Sequence, residues 1–107
     1  MVDDPVWNVS TGFPDGGVYS GMAEVFGSFY SKLSNRFRSF SAIPEIFIDG
    51  GDVVTVLGFY KFKKNEEDSF RLARFTHTWG INIDGRIKGV WQVADSAQFI
   101  TSSEAEA

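Results

Sequence analysis

The sequence predicts an α+β domain in which one amphipathic helix packs on a strongly curved antiparallel sheet. Three observations carry this: a single stretch of helical periodicity between Gly21 and Phe37, four long stretches of strand character after it, and a length of 107 residues, which suits one hydrophobic core and not two. Hydrophobic residues make up 43% of the chain and aromatic residues 16%, with 11 Phe, so there is enough apolar area to close that core.

Along the chain, Val6-Trp7-Asn8-Val9 reads as a short strand, and Ser10 to Gly17, a cluster of turn formers around Pro14-Asp15-Gly16, as a loop. From Gly21 to Phe37 the apolar residues Met22, Phe26, Phe29, Tyr30, Leu33 and Phe37 recur at helical spacing, with Glu24, Ser28, Ser31, Lys32, Asn35 and Arg36 on the other side. Ser20 is the expected N-cap, and Arg36 and Arg38 suit the negative end of the helix dipole. The period then changes to two. Strands are expected over Ser39 to Ile48 and Asp52 to Phe62, and then over Ser69 to Ile83 and Arg86 to Ile100, the last two joined by an Asp84-Gly85 hairpin turn. Pro44 cannot donate to a ladder, so it marks an edge or a bulge. Residues 1–100 thus form one domain, and the small, acidic tail from Thr101 to Ala107 is expected to be disordered.

Composition excludes several classes. The net charge of −4 comes from dispersed side chains with no basic stripe, which argues against a nucleic-acid partner. With no Cys there is no disulfide, thiol nucleophile or thiolate metal site, and with one His a protein-supplied zinc site is not expected. Neither a basic-then-apolar leader nor a run of about 18 apolar residues occurs, so a cytoplasmic location without a membrane partner is expected. Gly-x-Ser-x-Gly is absent, and Asp49-Gly50-Gly51-Asp52 joins two strands, which makes it a hairpin turn and not a phosphate cradle.

The order strand, loop, helix and four long strands resembles the nuclear transport factor 2-like superfamily, in particular its SnoaL-like polyketide cyclase and ketosteroid isomerase-like branch. The likeness runs from about Trp7 to Phe99 and rests on Trp7 in the first strand, Tyr19-Ser20-Gly21 before the helix, and the helix aromatics Phe26, Phe29 and Tyr30 with Leu33. His77-Thr78-Trp79, Asp84-Gly85-Arg86-Ile87 and Trp91-Gln92-Val93-Ala94-Asp95 complete it. The resemblance implies a cystatin-like cone with an apolar pocket between helix and sheet. Members usually begin with one or two more helices that cover the cone. Those residues are expected to be missing here, leaving apolar surface for another subunit to cover.

Asp95 stands in an apolar strand, where desolvation would raise its pKa into a useful range, and in the related enzymes an acidic residue at this place is a general acid or base. The competing reading ends the strand in solvent. His77, between Phe75 and Trp79, could bond a carbonyl oxygen or shuttle a proton, and the competing reading is a satisfied core histidine. A two-residue turn at Asp84-Gly85 sets Trp79 opposite Val90 and His77 opposite Gln92, which sends Asp95 to the other face. Only a bulge near Gly89 or a longer loop would unite His77 and Asp95. Tyr19, Phe26, Tyr30, Tyr60, Phe75, Trp79 and Trp91 are the candidate ligand-binding residues, with core packing as the alternative.

Two functions follow. One is a cofactor-free proton-transfer enzyme of the cyclase, isomerase or hydrolase kind, acting on a hydrophobic, ring-containing small molecule through Asp95. The other is a non-catalytic ligand-binding or dimerisation module of the same fold. A homodimer is expected through the outer sheet face, with Val90 and Phe59 in the contact.

Overall fold

In a computed structural model that describes residues 1–99, the chain forms a six-stranded sheet wrapped around one helix. The short strand β1 (Val6–Val9) buries Trp7 and Val9 and exposes Val6 and Asn8, a clean period of two. It pairs antiparallel with β2 (Gly17–Ser20). That strand corrects the expectation of loop alone: four residues behind a turn cluster give little periodicity to read. Ser20 does not cap the helix, whose N-cap position is Met22 with no side-chain hydrogen bond; the Ser20 backbone N–H donates to the Glu24 carboxylate at 2.7 Å, and Gly21, at φ 86°, makes the turn into the helix.

The helix begins as a π-helix over Ala23–Tyr30 and continues as an α-helix over Ser31–Arg36. The wider winding is visible in the Ser31 N–H, which donates to the carbonyl of Phe26, five residues back. It changes the buried face. Val25, Phe29 and Leu33 point into the core, each burial contributing about 2 kcal/mol, while Met22, Phe26 and Tyr30 move to a half-exposed margin.

The remaining strands are β3 (Ser39–Asp49), β4 (Val53–Lys63), β5 (Arg71–Ile81) and β6 (Ile87–Ala94), in the sheet order β2-β1-β6-β5-β4-β3. All neighbours are antiparallel except β1 and β6, which run parallel, so the sheet is mixed and not purely antiparallel. Gly89 lets β1 come close, because a Cβ there would lie 2.5 Å from the Val6 carbonyl oxygen. Pro44 lies in the edge strand and also at a bulge, where the β3–β4 register shifts between Pro44 and Ile46. Opposite it, a Cβ on Gly58 would meet the Ile43 oxygen at 2.3 Å, so the bend depends on that glycine.

The β5–β6 connection is longer than a two-residue turn. Asn82 N–H donates to the Arg86 carbonyl at 2.8 Å, Ile81 pairs with Ile87, and Ile83 is fully exposed in the loop and not in the strand. One residue, Lys88, then bulges out, so that Gly80 pairs with Gly89, Trp79 with Val90 and His77 with Gln92. Loop and bulge cancel, leaving the register that a tight turn would have set.

After β6 a 3-10 turn, Ser96–Phe99, brings Phe99 back onto Phe62, the two rings stacked at 4.3 Å, in a cluster with Phe13 and Phe37 that closes one end of the cone. The expected final strand thus ends early, at Ala94, and its last residue, Ile100, lies with the tail outside the described residues. Among the described residues no helix is long and apolar enough to cross a membrane.

Candidate functional site

Helix and sheet diverge to leave a cavity of about 860 Å³. Its floor is the concave sheet face, with Trp7 and Val9 from β1, Val90 and Gln92 from β6, His77 and Trp79 from β5, Tyr60 from β4 and Ala42 from β3. Phe26, Phe29, Tyr30 and Leu33 of the helix form its roof. Phe13, Phe37 and Phe40 close the far end, and Ser31, Ser34 and Arg38 stand along one rim.

Polar groups inside this apolar box form one continuous chain, and the direction of every hydrogen bond in it follows from its first member. The backbone N–H of Ser10 can only donate, and it is shared between the Gln92 carbonyl at 3.0 Å and Gln92 Oε1 at 3.2 Å. The Ser10 hydroxyl adds a second donor to Oε1 at 3.3 Å. Gln92 must therefore turn its amide NH₂ the other way, where Nε2 donates to Tyr60 Oη at 3.0 Å. The Tyr60 proton then has His77 Nε2, 2.6 Å away, as its acceptor among the described residues, which favours the neutral tautomer with the imidazole proton on Nδ1. No buried side-chain donor or acceptor among the described residues is left unpaired, and Nδ1 has no partner, so that N–H is open to the cavity.

Burial decides the charge states. Desolvation between the stacked Phe75 ring, 4.1 Å away, and Trp79 lowers the His77 pKa to about 4. Burial also raises the Tyr60 phenol far above its usual value, with the Gln92 hydrogen bond acting weakly against it. At neutral pH both groups are uncharged. A second phenol, Tyr30, accepts a hydrogen bond from Trp7 Nε1 at 3.1 Å, and burial raises its pKa against that bond. It sits half-exposed at the cavity margin with its own proton available.

Among the residues expected at the site, the structure places His77, Phe26, Tyr30, Tyr60 and Trp79 on the cavity wall. Phe75 is buried just behind it, stacked on both Tyr60 and His77. Tyr19 packs on Phe29 away from the cavity, its hydroxyl donating to the Asp15 carbonyl, and burial followed by the Asp15 charge raises its pKa. Trp91 is more than half exposed on the convex face. Asp95 corrects the expectation of a desolvated carboxylate. Its backbone N–H pairs with the Arg74 carbonyl beyond the end of β6, the side chain is exposed, and Gln98 Nε2 donates to it at 3.3 Å. Strand alternation explains this, because Gln92 points inward and Asp95, three positions on, points outward. Val90, expected on the outer face, is buried against the cavity by the same parity. Gln92 was not singled out from the sequence. Its signal was a polar side chain facing His77 across the hairpin.

Superposition on solved structures gives a close match over the whole described chain. An NTF2-like protein from Burkholderia thailandensis matches with a TM-score of 0.84 and 20% identity, covering 100% of this chain and 80% of that one. The chain has the nuclear transport factor 2-like fold. A protein of cystatin-like fold from Xanthomonas campestris shares this fold with a TM-score of 0.78 at 20% identity, over 92% of this chain and 76% of that one. TerC, in a crystal with polyporic acid, matches with a TM-score of 0.81 at 23% identity, over 100% and 81%. A further match, at a TM-score of 0.78 and 14% identity over 98% and 74%, is assigned as a SnoaL-like polyketide cyclase from Jannaschia sp. CCS1. No protein-family model and no curated protein matches the chain.

Proposed function

We propose that this chain binds a hydrophobic, ring-bearing small molecule in the cavity, with an oxygen of the ligand held by the His77 Nδ1–H. The observation that carries the reading is the Ser10–Gln92–Tyr60–His77 chain, which ends in one uncommitted donor inside an aromatic wall. A cavity of about 860 Å³ lies within the ~300–1,000 Å³ range of small-molecule sites. TerC, which shares the fold, is co-crystallised with the small molecule polyporic acid, which supports small-molecule binding on this fold. Binding without turnover is favoured over proton transfer. No carboxylate lines the cavity among the described residues, and an imidazole with a pKa of about 4, already proton-bearing at Nδ1, donates a hydrogen bond and is a poor base.

The test uses prodan, a naphthyl ketone whose emission shifts to the blue in apolar surroundings. Blue-shifted, saturable binding is expected, weakened about three- to tenfold by His77→Phe, the worth of one hydrogen bond. Ala42→Trp, at an exposed position on the cavity wall, should block the site without disturbing the core. Binding that survives Ala42→Trp unchanged would place the ligand elsewhere.

We further propose a homodimer through the convex sheet face, where Ile46, Ile48, Trp91 and Val93 are each more than half exposed and Phe59 is partly so. Light scattering at micromolar concentration should give the dimer mass, and Trp91→Glu should halve it. A wild-type monomer would end this proposal.

A further inference from the structure

Among the described residues, Arg38 is the one charged residue on the cavity wall of a protein whose net charge is −4. It stands at the rim, between Phe37 and the first residues of β3. Its backbone is pinned, its N–H being shared by the carbonyls of Lys63 at 3.0 Å and Lys64 at 3.1 Å. The guanidinium uses only Nε, which meets Glu66 Oε2 at 2.5 Å, and both Nη groups are without a partner among the described residues. The Arg38 side chain is 63% exposed, so it stands at the mouth of the cavity and not inside it. There it has a planar two-pronged edge to spare, the geometry that suits carboxylate or sulfonate oxygens. Ser31 and Ser34 share the rim. The Ser34 hydroxyl is spent on the Ser31 carbonyl at 3.0 Å, whereas that of Ser31 makes no hydrogen bond among the described residues.

The two polar features of the cavity lie far apart along it. Arg38 bonds the carbonyl of Lys63, at one end of β4, whereas His77 pairs with Val56 well down the same strand. Between them the wall is aromatic.

We propose that the ligand is an elongated anionic amphiphile, a ring-bearing carboxylate or sulfonate whose charged group is taken by the Nη edge of Arg38 while its apolar body runs inward towards His77. This rests on the binding reading above and names the ligand class for that same cavity. Glu66 is then a competing anion already on the arginine. Removing its charge strengthens the site.

A matched pair of fluorescent probes tests this: 1-anilinonaphthalene-8-sulfonate and the neutral N-phenyl-1-naphthylamine, which differ by the sulfonate alone. The readout is the ratio of their affinities for each variant, which cancels changes in the apolar wall. Arg38→Met should lower the sulfonate-to-neutral ratio about three- to fivefold, the worth of one partly exposed ion pair. Arg38→Lys, which keeps charge and loses the fork, should fall between. Glu66→Gln, outside the cavity wall, should raise the ratio, and added salt should lower it in the wild type. A ratio that is the same in wild type, Arg38→Met and Glu66→Gln overturns the anion site and leaves the apolar cavity standing. If neither probe binds the wild type, the cavity reading fails and the anion site with it.

Discussion

Acidification from pH 7 to pH 5 should destabilise this protein, and His77 should be the reason. In the unfolded chain the imidazole takes up a proton near its ordinary pKa of 6.5, whereas in the native state desolvation holds the value to about 4. Between those values the unfolded state carries more protons, so lowering the pH favours it. The contribution of the neutral imidazole is complete above about pH 6.5 and is lost as the pH falls towards 4. For one group with these two values the loss is about 2 kcal/mol at pH 5 and about 3 kcal/mol at pH 4. His77 is the only histidine, so the comparison with a variant lacking it isolates the effect. Urea unfolding of wild type and His77→Asn at pH 7, 6 and 5 measures it, because the fixed cost of the substitution drops out when each protein is compared with itself. Wild type should lose about 2 kcal/mol more than His77→Asn between pH 7 and 5. Equal losses would refute the desolvated, neutral imidazole and the tautomer built on it.

Gly58→Ala should cost about 2 kcal/mol or more in thermal unfolding, because its Cβ would stand 2.3 Å from the Ile43 oxygen; an unchanged Tm would mean that the strands do not approach at the Pro44 bulge. Gln92→Leu removes the donor to the Tyr60 oxygen, which keeps only its bond to His77, and an acceptor from Ser10, so a loss of about 1–3 kcal/mol and weaker prodan binding are expected, whereas full stability would show that the polar chain is dispensable. Asp95→Asn should leave prodan affinity unchanged and stability within about 0.5 kcal/mol, and a large drop in affinity would return that carboxylate to the site.

The helix and four long strands could be read from the sequence because each has one dominant period and ends at a turn former. Pro44 declared its bulge because it lacks an N–H. What could not be read is what depends on partners distant in sequence. The parallel pairing of β1 with β6 leaves no mark in either strand, and β2 is too short to show a period. Val25 stands four residues before Phe29 and eight before Leu33, on one helical stripe, but the larger Phe26 and Tyr30 outweigh it in the pattern, and nothing in Ala23–Tyr30 announces the wider winding that leaves those two at the margin. At the site, counting residues back from the turn already set His77 opposite Gln92 and pointed Asp95 outward.

The same parity gives the β5–β6 loop a meaning beyond its own residues. Removing one residue from Asn82–Arg86 would, if the loop kept its length by drawing a residue from β6 and one residue stayed bulged, carry Trp91 and Val93 into the cavity and turn Val90 and Gln92 out, leaving Tyr60 and His77 without their amide. If Lys88 drops back into the ladder instead, the change is absorbed and the pocket is untouched. The bulge is thus a reserve of slack: this hairpin can tolerate a one-residue change in length, once, before the chemistry of the cavity is exchanged for that of the outer face.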